Sequence, residues 1–107
     1  MKCRITHHGA RLNPSIFVRE ADREAFFSKE NRLISIKIDD TEGYTTLQPD
    51  FFVGVGQIRT LYPTKEYWGI NLLIEWIEKN NLKIGNEVEL KVIVPFKKFR
   101  LKILTNH

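Results

Sequence analysis

The sequence predicts a mainly β fold with two short helices, in which about seven strands curl into an open or half-closed barrel. Alternation of apolar and polar side chains recurs along the chain, as in strands with one buried face. Helical spacing of apolar residues is confined to two short stretches. Gly54 and Gly56 lie two apart in an extended stretch, as glycines do where a sheet bends.

The N-terminal segment predicts two strands that flank a polar loop. Cys3 and Ile5 alternate with charged neighbours over residues 2–6, and residues 15–18 form a short β-prone run. The loop between them, residues 7–14, is rich in polar and basic side chains.

A short helix and a clear strand follow. Residues 21–28 predict a helix with Ala25 and Phe26 facing inward. Residues 32–38 carry three isoleucines in strict alternation with polar residues, which predicts a half-buried strand.

The middle of the chain predicts a hairpin and a further extended stretch. Residues 39–43 have the composition of a tight turn, and residues 44–47 return as the hairpin partner. Residues 51–61 are expected to continue in extended form.

The C-terminal part predicts a helix and two strands. Apolar residues fall at helical spacing at Ile70, Leu73, Ile74 and Ile77. Asn80 and Asn81 tolerate the left-handed conformation that ends a helix. Alternating patterns then predict strands over residues 87–94 and 98–104, with a turn at residues 95–97.

Length and composition predict one domain over residues 1–107. A chain of 107 residues buries roughly two-thirds of the surface that it exposes when unfolded. The lone Cys3 has no partner for an internal disulfide, the first residues lack the apolar run of a signal peptide, and no run approaches bilayer length. We expect a cytoplasmic protein without a membrane partner.

The charges are distributed unevenly along the chain. Residues 1–19 carry four bases and no acid, and residues 90–107 carry five bases and no acid. All 13 acidic residues lie between Glu20 and Glu89. A polyanion is therefore expected to meet the two ends, provided that the fold brings them to one face.

Catalytic and metal-binding interpretations have little support in the sequence. Cys3 with His7 and His8 suggests a nucleophile and a base, but a small buried thiol on a strand explains Cys3 more simply. Paired histidines and the turn aspartates, Asp39 and Asp40, lack the spacing of a metal site. We expect no catalytic residue, no metal and no cofactor.

Nucleic-acid binding is the remaining chemical prediction. Residues 4–13 combine Arg, Thr, His and Asn, which are the side chains that contact phosphates and base edges. In the last strand three cations alternate with apolar residues and share the outer face. Tyr62, Tyr67 and Trp68 flank a polar loop and are candidates for stacking on a base.

The helix, turn and strand near the C-terminus resemble the B-three DNA-binding pseudobarrel of plant transcription factors and of DNA-reading domains in restriction enzymes. Residues that match its pattern are Leu73, Trp76, Ile77, Asn81, Leu82, Gly85, Val88 and Leu90. Asn86 stands where the family usually has Asp, and Leu73 stands where Trp is common. The resemblance covers about a quarter of the chain.

The resemblance implies a seven-stranded open pseudobarrel whose two loop arms enter the major groove of double-stranded DNA. On this chain the first arm is expected at residues 4–13 and the second at about residues 57–67. From their side-chain chemistry, the residues of the first arm expected to contact DNA are Arg4, His7, His8, Arg11 and Asn13. The second-arm contacts are Gln57, Arg59, Thr60, Thr64 and Lys65. Phosphate contacts are expected, if they adjoin that surface, from Lys97, Lys98, Arg100 and Lys102.

The leading hypothesis is thus a non-catalytic domain that binds duplex DNA, with a nuclease or regulator on another chain as a possible partner. Three alternatives remain open. An RNA-binding barrel would stack unpaired bases on Tyr62, Tyr67 or Trp68. A small ribonuclease or toxin-like enzyme would use His7 or His8 as its base. A protein-interaction subunit would use its charges only for solubility.

Overall fold

A computed structural model describes residues 1–66 and 68–104 of the chain. The described part contains seven strands and three helices. In chain order these elements are β1 (Lys2–His8), β2 (Asn13–Phe17), α1 (Glu20–Phe26), β3 (Leu33–Ile38), β4 (Thr41–Thr46), α2 (Pro49–Val53), β5 (Gln57–Ile58), α3 (Leu72–Lys79), β6 (Glu87–Val94) and β7 (Lys98–Ile103). None of the described helices is both long enough and apolar enough to cross a membrane.

The strands form one sheet in the order β4-β3-β7-β6-β1-β2-β5, curled into a half-barrel. The β3–β7 pair is parallel, and the other pairs are antiparallel. The predicted mainly β, seven-stranded open pseudobarrel is confirmed.

One segment connects the two edges of the curled sheet. Residues 57–62, which we call the seam, begin as β5 beside β2 and end beside β4. There Tyr44 and Tyr62 exchange two backbone hydrogen bonds of 2.8 and 2.9 Å. The seam therefore brings the sheet edges together without a full-length closing strand.

Asn71 fixes the seam to the start of α3. Its Oδ1 accepts hydrogen bonds from the backbone N–H groups of Leu61 and Leu73, both at 3.1 Å. Its Nδ2 donates to the carbonyl oxygen of Arg59 at 3.1 Å. One side chain thus caps a helix and holds the strand that crosses it.

The inner face of the half-barrel is packed with apolar side chains. Alternation places one face of each strand inward, and α3 covers the open side. Burial of each such side chain stabilises the fold by roughly 1.5–3 kcal/mol. The buried set includes Ile5, Ile16, Ile34, Ile36, Phe51, Leu73, Trp76, Ile77, Val88, Leu90, Phe99 and Leu101.

Helix α2 corrects the prediction of two helices and of an extended stretch over residues 51–61. Pro49 occupies the first turn, where its fixed φ favours a helix. The Phe51 ring is fully buried at 5.0 Å from the Phe27 ring, so aromatic packing holds this turn against the core. Only residues 57 and 58 of the predicted strand are paired as β5.

Helix α1 buries a charged residue that the sequence analysis did not select. Arg23 is 6% exposed, whereas Ala25, which was expected inside, is exposed. The Arg23 Nη1 atom donates to the carbonyl oxygens of Phe51 and Gly54 at 3.0 and 3.5 Å. Its guanidinium therefore donates hydrogen bonds to carbonyl groups at the end of α2. A pattern of apolar residues does not reveal this contact.

Helix α3 begins later than the apolar spacing indicated. Ile70 precedes the helix and is 60% exposed, so its expected core position is wrong. Leu73 and Ile77 are buried as expected. Asn81 adopts a φ of 53°, which confirms the left-handed stop.

Candidate nucleic-acid interface

The β1–β2 hairpin extends beyond the rest of the sheet. β6 pairs with β1 as far as Arg4, and Gly85 and Asn86 before it extend the backbone hydrogen bonds to Ile5. β5 pairs with β2 only at Ile16 and Phe17. The outer residue pairs of the hairpin, from Thr6–Ser15 to His8–Asn13, have no third strand paired beside them. Residues 6–15 therefore form a two-stranded segment, which we call the ribbon. Its tip projects and is exposed over residues 9–13, whereas Ser15 at its base is fully buried.

The tip of the ribbon is a four-residue turn. Gly9 and Leu12 have φ values of 72° and 54°, and the Leu12 N–H donates to the Gly9 carbonyl oxygen at 3.1 Å. The predicted loop over residues 7–14 is thus too long, because cross-strand pairing extends to its end residues. Arg11 lies within the turn, is exposed, and carries the only formal charge of the ribbon.

Adjacent residues on the ribbon strands point to opposite faces, which separates the two histidines. His7 is exposed and His8 is half-buried. Burial lowers the pKa of His8 below its ordinary 6.5, and the neighbouring charges of Arg59 and His7 lower it further. The His8 imidazole is therefore predominantly neutral at pH 7.

The first part of the second arm contacts the ribbon. Gln57 Nε2 donates to the His7 carbonyl oxygen at 3.0 Å, and Gln57 Oε1 accepts from Arg59 Nε at 3.4 Å. Arg59 also forms an ion pair with Asp50 at 2.9 Å. Residues from the two predicted arms therefore meet at the ribbon, although the amide of Gln57 is occupied by this contact.

The rest of the second arm lies elsewhere. The Thr60 hydroxyl is 3.3 Å from that of Thr45, within the seam. Thr64 is half-buried, and the Lys65 ammonium lies 5.8 Å from the Tyr44 ring centre. Lys65 lines a shallow depression together with Lys97 and Lys98.

Lys97 and Lys98 do not adjoin the ribbon. Lys2 of β1 is paired with Glu89 of β6. From this pair β1 continues to His8 in one direction, and β6 continues in the opposite direction to Val94, which is paired with Lys98. At about 3.3 Å per residue, the two levels are roughly 35 Å apart along the strands. Lys97 and Lys98 therefore lie at the opposite end of the strands from the ribbon, whereas Lys2 and Lys102 flank the same residue, Glu89.

Three other selected cations lie on the outer face of the sheet. Arg100 lies between the inward-facing Phe99 and Leu101, and Lys102 is directly opposite Glu89. Arg4 is opposite Glu87, and its guanidinium lies 4.5 Å from the ring centre of Phe17. Acidic neighbours thus reduce the positive charge around Arg4 and Lys102.

The groups considered for catalysis, metals and base stacking are dispersed. Burial raises the pKa of the Cys3 thiol to about 12, so its reactive thiolate is scarce at neutral pH. No three His, Cys, Asp or Glu side chains of the described residues could hold a metal ion together. Trp68 is 76% exposed, and Tyr62 is part of the seam. Tyr67 lies outside the described residues, so its expected positions in the second arm and in base stacking stay predictions.

Comparison of the chain with protein-family models, curated proteins and solved structures finds no match. The B-three resemblance therefore stays a prediction based on the residues that carry it.

The sheet places two lysines, which were not selected from the sequence, beside a selected cation. Lys37 of β3 and Lys91 of β6 lie directly opposite Arg100, on its two sides. Their outward positions follow from alternation, but their proximity depends on the parallel β3–β7 pair. No short-range signal in the sequence indicates that pairing.

Proposed function

We propose that the chain is a non-catalytic DNA-binding domain that inserts the ribbon into the major groove of double-stranded DNA. The observation that carries the proposal is the projecting ribbon, which holds no acidic residue over residues 6–15. A major groove about 12 Å wide admits a two-stranded β ribbon. The shape and the polar composition of the ribbon both suit that groove.

The ribbon side chains divide into contacts of different kinds. Arg11 at the tip is free to donate two hydrogen bonds to a guanine, and Asn13 has the geometry to pair with an adenine edge. The exposed His7 adds a further donor or acceptor. Arg4 lies at the base of the hairpin, where a phosphate is the expected contact.

The seam residues act in this proposal mainly by positioning the ribbon. Gln57 holds the carbonyl oxygen of His7, and Arg59 contacts Gln57 and Asp50. A ribbon anchored in this way loses less conformational entropy on binding than a free loop does. A nuclease or regulator on another chain would supply any action on the bound DNA.

A salt titration with a random-sequence duplex of about 20 base pairs tests the proposal. Affinity is expected to fall linearly with salt on a double-logarithmic plot, with a slope of about −0.9 per phosphate contacted. The Arg11→Gln variant should bind more weakly than the wild type. Lys79→Gln removes the same charge from the exposed end of α3, where Lys79 pairs with Asp39 at 3.5 Å, and should have no effect. Salt-independent affinity, or no binding near 50 mM salt, would contradict the proposal.

Base selectivity is tested by selecting preferred sequences from a random duplex pool with the wild type and with Asn13→Ala. Loss of a bidentate base contact should relax the preference at one position by about 1–3 kcal/mol. An unchanged preference would mean that Asn13 does not read a base.

RNA binding is a second candidate because Trp68 is 76% exposed just before α3. Exposed aromatic rings stack on unpaired bases. Competition between single-stranded RNA and duplex DNA distinguishes the two candidates. Preference for RNA that is lost in Trp68→Ala, with Arg11→Gln unaffected, would replace the DNA proposal.

A further inference from the structure

Six cations lie together on the outer side of β3, β7 and β6, away from the ribbon. Alternation with buried residues turns Lys37, Arg100 and Lys91 to this outer side. Register places these three residues in one row across adjacent strands, about 4.8 Å apart. We call the whole set the cationic face: Lys37, Lys65, Lys91, Lys97, Lys98 and Arg100.

The part of the cationic face near the turn between β6 and β7 surrounds a shallow depression of about 220 Å³. Its polar lining residues are three lysines, one acid and two hydroxyl residues: Lys65, Lys97, Lys98, Glu42, Ser35 and Tyr44. Lysines supply the charge and hydroxyl groups supply hydrogen bonds, which is the chemistry that contacts phosphate oxygens.

Glu42 is an acidic neighbour of the cationic face: it lies directly opposite Lys37 and also lines the depression. Among the described residues, Lys98 is the one member of the face in an ion pair, with Glu42 at 3.8 Å. Like charges directly opposite each other destabilise a sheet by a few tenths of a kcal/mol or more. Arg100 therefore repels both Lys37 and Lys91, and Glu42 offsets this repulsion only on the Lys37 side, so a bound polyanion would relieve the remainder.

The cationic face is separated from the ribbon by distance and by charge. The level of Lys91 is eight residues from that of His8, or about 26 Å along the strands. Glu89 and Glu87 project from the same side of β6 between the two levels. In addition, the ribbon projects from the end of the sheet, whereas the cationic face looks out from its side.

We propose that the cationic face binds the phosphate backbone of a second DNA segment, so that one chain bridges two duplexes. This inference rests on the proposed function of the ribbon, which binds the first duplex. The contact is independent of sequence, because lysine and arginine side chains on a flat sheet reach phosphates and not base edges.

A capture experiment tests the bridging. One duplex is attached to beads, protein is added until the duplex is partly occupied, and retention of a second, fluorescent duplex of different sequence is measured. The face variant is Lys37→Gln with Lys91→Gln, and the ribbon variant is Arg11→Gln with Asn13→Ala. Lys79→Gln is the control, because it removes a lysine charge that pairs with Asp39 and belongs to neither surface.

Wild type and control are expected to retain the fluorescent duplex. Each surface variant should still bind single duplexes but retain at least about tenfold less of the second duplex, since each lost phosphate contact removes about 0.9 from the salt slope. The face variant should unfold at about the same denaturant concentration as the wild type, because removal of the like charges opposite Arg100 offsets the loss of the pair between Lys37 and Glu42.

Each contrary result points to one claim. Bridging that persists in the face variant, or a ribbon variant that no longer binds any duplex, overturns the second surface. Single-duplex binding by the wild type without retention of the second duplex also overturns it and leaves the ribbon proposal standing. Failure of the wild type to bind any duplex overturns both.

Discussion

Replacement of Asn71 by alanine should destabilise the fold by about 2–4 kcal/mol. The helix cap accounts for about 1 kcal/mol of this loss. The hydrogen bonds to the backbone of Leu61 and Arg59 account for the rest, at about 0.5–1.5 kcal/mol each. These two bonds join the start of α3 to the seam, so their loss should loosen the segment that carries Arg59.

Urea unfolding monitored by tryptophan fluorescence measures the effect, since Trp76 is buried on α3. The Asn71→Asp variant keeps the capping oxygen but loses the donor to Arg59, so its destabilisation should be smaller than that of Asn71→Ala. Asn80→Ala serves as a matched control, because Asn80 makes one side-chain hydrogen bond, to the Trp76 carbonyl oxygen at 2.8 Å. A loss of less than about 1 kcal/mol in Asn71→Ala would refute the role of Asn71 in the seam.

Three further predictions concern buried groups. Gly56→Ala should destabilise the fold by more than 1 kcal/mol in urea unfolding, because φ is 61° and the new Cβ would lie 2.8 Å from Arg23 Cζ. Gly54→Ala is the control and should have little effect, because the new Cβ would have no atom within 4 Å. The lowered pKa of His8 means that the unfolded state binds the proton more tightly, so stability should fall as pH drops below about 6.5, and His8→Gln should reduce that fall. Cys3, with its pKa raised to about 12, should react with a thiol reagent at neutral pH only after unfolding; fast reaction in the native state would contradict its burial.

Local patterns in the sequence predicted several elements well. The strand over residues 87–94 coincides with β6, and the isoleucine alternation predicted β3 to within one residue. In both segments apolar side chains alternate with polar ones, so the character of each side chain indicates the face of the sheet on which it lies. The stop at Asn81 was equally visible, because few residues adopt a positive φ at low cost.

The errors arose where tertiary packing determines the local structure. Phe51 belongs to a single helical turn that aromatic packing holds in place, and so short a turn leaves no periodic pattern. Arg23 is buried because the end of α2 needs hydrogen-bond donors, which depends on a chain segment 28 residues away. A charged residue on a short helix is normally expected at the surface.

The candidate interface was predictable in its chemistry but not in its arrangement. The polar and basic composition of the first arm selected Arg11 and Asn13 as DNA contacts; both lie exposed on the hairpin, and their role in binding stays a prediction. The separation of Lys97 and Lys98 from that hairpin follows from strand order, which composition does not encode. The parallel β3–β7 pair adds Lys37 to the cationic face for the same reason.

The central claim is that the ribbon enters the major groove, and the most direct test follows each backbone amide by NMR while duplex DNA is added. The account predicts that the first shifts occur over residues 6–15 and at Gln57 and Arg59 beside them. Shifts at Lys37, Lys91 and Arg100 should appear only when further duplex is added. A ribbon whose amides do not shift at saturation, while another surface does, would contradict the account.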